Sequence, residues 1–323
     1  MPHAIRIHQT GGPENMQWEE VEVGRPGPGQ VLVRNTAIGL NFIDVYHRTG
    51  LYPNPLPFTP GMEGAGVVEA VGPRVKNFKV GDRVAYANPI GSYAEVCLRP
   101  VDRLVKIPAG IDDKVAAAIM LKGMTSWYLV RRTYRVRKGD TILVHAAAGG
   151  VGQILCQWAK HLGATVIGTV GSQEKVALAK KCGCRHVIVI PAENLVERVK
   201  AITKGKGVPV VYDGIGKDTF MDSLDCLAPL GMMVSFGNAS GPVTQFNPGV
   251  LAQKGSLFLT RPTLFTYTAK REDLVKAAQE LFAVVKERAV RISINQTYPL
   301  RDAARAHSDL EGRRTTGSTV LLP

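Results

Sequence analysis

Thr141-Ile142-Leu143-Val144-His145-Ala146-Ala147-Ala148-Gly149-Gly150-Val151-Gly152 carries the clearest structural signal in the chain. Its apolar, β-branched start reads as a buried parallel strand. The strand enters a glycine-rich turn, and a helical pattern follows over residues 153–161. Strand, turn and helix in that order are the context of a dinucleotide-binding loop. Glycine lets backbone approach a pyrophosphate closely, and the helix N-terminus offers N–H groups and a positive dipole end. Ala147, Gly149 and Gly152 fill the three positions of the G-x-G-x-x-G pattern, so the motif is one glycine short. A second strand, Thr165-Val166-Ile167-Gly168-Thr169, supports the assignment against a tight turn in some other α/β protein. The predicted nucleotide contacts here are Ala147, Gly149, Gly150, Val151 and Gly152.

The end of the second strand bears on which nucleotide is bound. NAD-binding loops carry an acid about 20 residues past the glycines, which accepts bonds from the ribose hydroxyls. This chain reads Val170-Gly171-Ser172-Gln173-Glu174-Lys175, with Gly171 and Ser172 where the acid would stand. Loss of the carboxylate makes room for a 2′-phosphate and removes repulsion. Ser172 can donate a hydrogen bond and Lys175 can supply charge, so NADPH is the expected cofactor. Ser172 as a helix cap and Lys175 as a solvated surface residue are the plain alternatives. Glu174 falls one turn into the next helix.

Composition agrees with an enzyme. At 323 residues the chain is long enough for two domains, each with its own core. No apolar run approaches the length of a membrane span, and the N-terminus lacks the layout of a signal peptide. The five cysteines are odd in number and scattered, which points to a reducing, cytoplasmic setting. The net charge of +13 is partly concentrated in Arg131, Arg132, Arg135, Arg137 and Lys138. A solvated basic face, attraction of a polyanionic cofactor and nucleic-acid binding all remain open, although no recognition-helix, RRM or zinc-finger pattern accompanies the charge.

The chain falls into blocks. Residues 1–122 read as all-β, with short strands between turn signals, a small barrel or sandwich. Residues 123–262 alternate strands and helices, which implies a parallel sheet. The remainder, 263–323, holds a helix near 271–287 and strands near 292–298 and 317–323. Ser256-Leu257-Phe258-Leu259-Thr260 reads as a late apolar edge strand, a liability unless covered.

Several further stretches make a family visible: Gly39-Leu40-Asn41-Phe42-Ile43-Asp44-Val45-Tyr46, Gly61-Met62-Glu63-Gly64-Ala65-Gly66-Val67-Val68, Gly81-Asp82-Arg83-Val84, Gly91-Ser92-Tyr93-Ala94-Glu95 and Lys122-Gly123-Met124-Thr125. With the turn at 146–152, they resemble the zinc-free quinone oxidoreductases, the ζ-crystallin-like branch of the medium-chain dehydrogenase/reductase superfamily. The resemblance runs over essentially the whole chain. It implies a mostly β GroES-like catalytic domain (1–122 plus 263–323) with an α/β Rossmann domain (123–262), a doubly wound parallel sheet, inserted into it. It also implies that the cofactor lies at the carboxyl ends of the parallel strands, and that two copies pair through the late edge strand as a homodimer. Lys122 and Thr125 match family positions near the nicotinamide. Phe236, Gly237 and Asn238 match a stretch on the same side. Arg313, with Arg314 adjacent, matches a position near the adenosine phosphates. Pro191 stands where the family often has a tyrosine, and it cannot donate that residue's bond.

Zinc-dependent members similar to this chain place a cysteine near position 41 and a histidine beside Glu63. Asn41 and Met62 stand there instead. One carboxylate cannot supply the three protein ligands that a catalytic zinc needs, so no metal is expected. Without such a Lewis acid, alcohol oxidation is disfavoured and reduction of an already electrophilic acceptor is favoured. A quinone fits, whether it takes hydride or single electrons. An enone or enoyl thioester is the alternative. Catalysis then rests on positioning and on hydrogen bonds to a developing oxyanion. Asn41 is the first candidate for that contact, followed by Tyr46 and Tyr52, which can donate or stack on a flat ring. Burial with a wet hydroxyl is the ordinary alternative for both tyrosines. From a different class, a nucleotide- or RNA-binding protein with little catalysis stays as a third hypothesis, resting on the basic charge.

Overall fold

The structure, a computed structural model, describes residues 1–323. It comprises two units: Met1–Met124 with Thr268–Lys286 and Ile292–Pro323, and Thr125–Tyr267 with Glu287–Arg291. In the first unit, β1 (His3–Ile7) and β2 (Met16–Glu20) form an antiparallel ribbon. The chain continues through β3 (Gln30–Leu40), α1 (Phe42–Thr49), β4 (Glu63–Val71), β5 (Arg83–Tyr86), β6 (Val96–Pro100), β7 (Val105–Lys106) and α2 (Asp113–Tyr128). The second unit holds β8 (Thr141–Val144), α3 (Gly150–His161), β9 (Thr165–Val170), α4 (Val176–Lys181), β10 (Cys184–Val189), α5 (Leu195–Ile202), β11 (Val208–Asp213), α6 (Phe220–Asp225), β12 (Leu227–Ser235), α7 (Gly249–Gln253), β13 (Phe258–Thr260) and α8 (Leu264–Tyr267). The C-terminal part adds α9 (Arg271–Lys286), β14 (Ile294–Pro299), α10 (Ala303–Glu311) and β15 (Ser318–Leu322).

The six strands of the second unit run parallel in the order β10-β9-β8-β11-β12-β13. Numbered within the unit this is 3-2-1-4-5-6, the doubly wound order that receives a dinucleotide where the strand order reverses. Ile142, Leu143 and Val144 are fully buried, as an inner strand covered on both faces requires. The core joins Leu143, Ile167, Ile188, Val211 and Met233 from five strands to Val199, Phe220 and Leu224 from α5 and α6. The strand β13 pairs only with β12, and Phe258 and Leu259 on it are 57% and 36% exposed.

The first unit is a mainly antiparallel sheet in the order β14-β15-β3-β4-β5-β7, with β6 also on β3. Along β3, Val31, Val33 and Ala37 alternate inward. The expectation of an all-β segment over 1–122 requires correction, because α1 and the start of α2 lie inside it. The sequence conceals both helices for physical reasons. α1 is only eight residues long, too short to show a period. α2 carries Ala116, Ala117, Ala118, Ile119 and Met120, all fully buried, so it lacks the amphipathic stripe that marks a surface helix. No helix is long and apolar enough to cross a membrane.

Candidate active site

The turn after β8 has little space. Ala146 is exposed and adopts a left-handed φ of 50°. Its carbonyl accepts the Gly149 N–H at 2.8 Å. A Cβ on Gly152 would collide with that carbonyl and come within 2.8 Å of the Ala147 Cα, so only glycine fits. α3 then begins at Gly150 from the uncapped Gly149, leaving first-turn N–H groups to point outward. Ala147 itself is fully buried, and its N–H donates to the Thr169 carbonyl at 2.9 Å.

Two more loops of this unit are joined to each other. Phe236 N–H donates to the Asp213 carbonyl at 2.8 Å, Ser240 N–H to Ile215 at 2.8 Å and Lys217 N–H to Gly241 at 3.1 Å. Gly237 meets the Gly214 backbone so closely that a side chain is excluded. Phe236, Gly237 and Asn238 are therefore held by the loop after β11. At the end of β9, Gly171 has open space around its Cα and Ser172 is half-buried. Ser172 occupies the N-cap position of a short 3-10 turn, Gln173–Lys175, yet its hydroxyl turns to Glu174 at 3.4 Å instead of the backbone. Thr125 is buried and bonds Tyr128, whose ring stacks on Tyr267 with centroids 4.6 Å apart. The five basic residues of 131–138 are exposed.

In the first unit, Asn41, Glu63 and Lys122 meet. Glu63 is fully buried and accepts from Asn41 Nδ2 at 2.8 Å, the Leu121 N–H at 2.7 Å and Lys122 Nζ at 3.2 Å. Asn41 is 4% exposed, and its amide also reaches the Gly39 carbonyl at 3.4 Å. Both donors of the Asn41 amide are directed within the fold, to Glu63 and to the Gly39 carbonyl. Tyr46 and Tyr52 are half-buried and pack edge to face with centroids 5.3 Å apart, with Phe42 beside Tyr46 at 6.3 Å. His47 lies on α1 and faces the Tyr52 carbonyl and Asn54. Arg313 is exposed with a left-handed φ of 58°. The guanidinium of Arg314 bonds Asp309 at 2.7 Å and the Ser308 carbonyl at 3.1 Å.

A buried chain that the sequence does not reveal begins at Asp44. Its Oδ2 accepts from the Asn41 N–H at 2.9 Å and from Tyr93 Oη at 3.1 Å, while Oδ1 has no partner. Tyr93 Oη lies 3.0 Å from His307 Nε2, and Arg48 Nη1 lies 3.4 Å from His307 Nδ1. A guanidinium only donates. His307 Nδ1 is therefore the acceptor, and Nε2–H donates to Tyr93. Arg48 is held bidentate by Glu311 at 2.9 Å. Burial raises the Asp44 carboxyl to about 7, and burial with the Arg48 charge lowers His307 to about 3.

The metal-site geometry of zinc-dependent relatives does not fit here. Asn41 and Met62 are poor zinc donors, and Glu63 is already engaged by an ammonium, a backbone N–H and an amide. No three His, Cys, Asp or Glu side chains converge as a metal-holding group.

Comparison with known proteins gives a consistent picture. A family described as "Alcohol dehydrogenase GroES-like domain" matches residues 27–109, and one described as "Zinc-binding dehydrogenase" matches residues 150–283. A quinone oxidoreductase of Pseudomonas aeruginosa is 56% identical over the full length of both chains. The chain belongs to the quinone oxidoreductase family of medium-chain dehydrogenase/reductases. A 2-haloacrylate reductase from a Burkholderia species is 50% identical, covering 100% of this chain and 99% of its own. The crystal structure of Escherichia coli quinone oxidoreductase complexed with NADPH superimposes with a TM-score of 0.98 at 50% identity, covering 99% of this chain and 100% of that one. The protein is an oxidoreductase with a Rossmann unit and a GroES-like unit.

The Asp44 chain makes stability depend on pH. A carboxyl raised from 3.8 to about 7 is bound to a proton in the fold but not in the unfolded chain across that window. Its stabilising effect is full below pH 4 and is lost as pH rises toward 7. His307, lowered from 6.5 to about 3, acts in the opposite direction and adds stability as pH rises between those values. Asp44→Asn keeps an acceptor for Asn41 and Tyr93 and removes only the first effect. Denaturant unfolding from pH 4 to 7 is expected to show the variant gaining on wild type, by on the order of 2–4 kcal/mol across the window. A pH-independent difference would refute the assignment.

Proposed function

We propose that this protein reduces quinones with NADPH and no metal. The observation that carries the reading is the turn at 146–152 on a 3-2-1-4-5-6 parallel sheet, in a chain that shares full length and fold with an NADPH-bound quinone oxidoreductase. NADPH supplies the reducing equivalent when bound. The first-turn N–H groups of α3, at Gly150, Val151 and Gly152, receive its pyrophosphate. Ala147 and Gly149 close the turn beneath it. Ser172 and Lys175 take the 2′-phosphate, in space that Gly171 leaves open. Phe236, Gly237, Asn238 and Thr125 of the second unit are assigned to the nicotinamide side. Arg313, with Arg314 adjacent, is assigned to the adenosine phosphates; Arg314 also bonds Asp309.

On the acceptor side, Tyr46 and Tyr52 present aromatic surface and hydroxyls to a flat ring. Asn41 and Glu63 hold the Lys122 ammonium in place, so that a fixed positive group faces developing negative charge at little reorganisation cost. The acceptor supplies its own electron demand, and these residues orient it. A second reading, reduction of α,β-unsaturated carboxylates or carbonyls, is favoured by the 2-haloacrylate reductase at 50% identity. The exposed Phe258 and Leu259 on the open edge of β13 support a homodimer built by pairing two such edges. The five buried cysteines, all free thiols, suit a reducing cytoplasm.

Three measurements test this. Pure protein with NADPH is expected to turn over a naphthoquinone or benzoquinone faster than 2-chloroacrylate, an alkenal or crotonyl-CoA, followed at the NADPH absorbance. Turnover of the alkenes with inert quinones would select the second reading, and a salt-sensitive RNA shift with no NADPH oxidation on any acceptor would select a nucleic-acid binder. Lys175→Glu is expected to weaken NADPH at least about tenfold while leaving NADH within about twofold; equal effects on both would remove the 2′-phosphate assignment. Light scattering at micromolar concentration should give a dimer mass that Phe258→Asp halves. A wild-type monomer would reject the edge-strand interface.

A further inference from the structure

We propose that Asp213 is a positioning residue for NADPH, acting through a directed chain of hydrogen bonds that ends on the backbone of Ala146. This deepens the reading that the 146–152 turn holds the pyrophosphate, and it rests on that reading.

Asp213 ends β11 and is fully buried. Four donors, all neutral, converge on its two oxygens. Ile215 and Gly216 N–H reach Oδ1 at 2.8 and 3.0 Å, and the Thr219 and Ser223 hydroxyls reach Oδ2 at 2.7 and 2.9 Å. The carboxylate only accepts, and from this the direction of every further bond follows. Ser223 has given its proton to Asp213, so its oxygen must accept from His145 Nε2, 2.9 Å away. His145 is fully enclosed, and burial lowers its pKa, which keeps the ring neutral. A neutral ring with its proton on Nε2 can only accept at Nδ1. Thr169 Oγ1, 3.1 Å from Nδ1, therefore donates there. The lone pair left on Thr169 Oγ1 receives the Ala146 N–H at 3.3 Å.

The chain thus runs from Ala146 N–H to Thr169, His145, Ser223 and Asp213, with one orientation available at each link. It passes from the turn after β8 through β9 and α6 and ends at the last residue of β11. Bonds aligned in one direction inside a low-dielectric interior polarise and strengthen one another. The target is the one strained position of the turn. A non-glycine residue at a φ of 50° holds that conformation only where its surroundings impose it. The same carboxylate fixes residues 213–216, to whose carbonyls the Phe236 and Ser240 N–H groups bond. One buried charge therefore sets the shape of three loops at the carboxyl end of the sheet. None of the chain's side chains is exposed, so they act through the backbone that they hold.

The experiment uses the full-length protein with NADPH and a naphthoquinone. Thr169→Val removes the relay at constant shape, Ser223→Ala removes its middle, Asp213→Asn turns an acceptor into a donor, and Thr169→Ser restores the hydroxyl. The first three are expected to raise the NADPH Kd and KM by about five- to tenfold, with kcat at saturating NADPH within about twofold of wild type. Thr169→Ser is expected to return both constants to near wild type. A merely structural lesion would lower the active fraction, and hence kcat, at unchanged KM. That pattern would overturn the proposal, as would Thr169→Val and Ser223→Ala binding NADPH like wild type. Gly152→Val is the control for the turn itself. If it loses NADPH while the relay variants do not, the relay fails and the turn stands. If it binds NADPH normally, the turn assignment fails first.

Discussion

Three fully buried carboxylates, Glu63, Asp44 and Asp213, impose the main constraint on both units. A carboxylate removed from water must be paired, saturated with hydrogen bonds, or neutralised by a proton. Each of the three takes a different route. Glu63 is paired with the Lys122 ammonium and completed by an amide and a backbone N–H. Asp213 is saturated by four neutral donors. Asp44 has two donors on one oxygen and none on the other, and its pKa rises toward neutrality. The three solutions dictate what lies around them. Glu63 draws Asn41 and Lys122 together. Asp44 caps α1, which carries Tyr46, and draws in Tyr93 and His307. Asp213 organises the loops that follow the parallel strands.

The glycine missing from the nucleotide motif has a structural counterpart elsewhere. Ala147 stands in the first glycine position with its methyl fully buried. Opposite it, on β9, is Gly168, where a Cβ would lie 2.7 Å from the Ala147 Cβ and 2.5 Å from Cys184 Sγ. Room for the turn has been provided on the neighbouring strand instead of in the motif. As a motif the turn is one glycine short, yet the packing keeps the same closeness of approach with the small residue displaced across the sheet.

This separates what the sequence makes legible from what it does not. The parallel strands are apolar on both faces and punctuated by turn residues, so β8 to β12 and the glycine turn can be read directly. The site corner is harder. Asn41 is visible as a residue, but its amide donors are engaged by a glutamate 22 positions away, and no local pattern reports that. Asp44, Tyr93 and His307 are spread over some 260 residues and meet only through the return of the C-terminal tail. His145 and Thr169 read as polar interruptions at the ends of apolar strands. The informative signal was that interruption: a polar residue at the end of a buried strand must find a partner, and two neighbouring strands interrupted at the same level can partner each other.

The same constraint bears on which acceptors suit the protein. In the corner of the first unit, the positive charge of Lys122 is matched by Glu63 in direct contact. Such a pair presents a dipole of fixed orientation, with much less electrophilic strength than a bare cation, because the carboxylate offsets most of the field beyond contact distance. On the proposed reading it steers an acceptor and stabilises partial charge, without polarising an unactivated carbonyl enough to make it accept electrons. The substrate must therefore spread the incoming charge over its own π system. Quinones do this through the whole ring, and acrylates through a single conjugated carboxyl or carbonyl. With Tyr46 and Tyr52 assigned to the acceptor as proposed, their edge-to-face aromatic surface favours the broader and flatter of the two. On that ground quinones are the better fit, with conjugated alkenes within reach of the same chemistry.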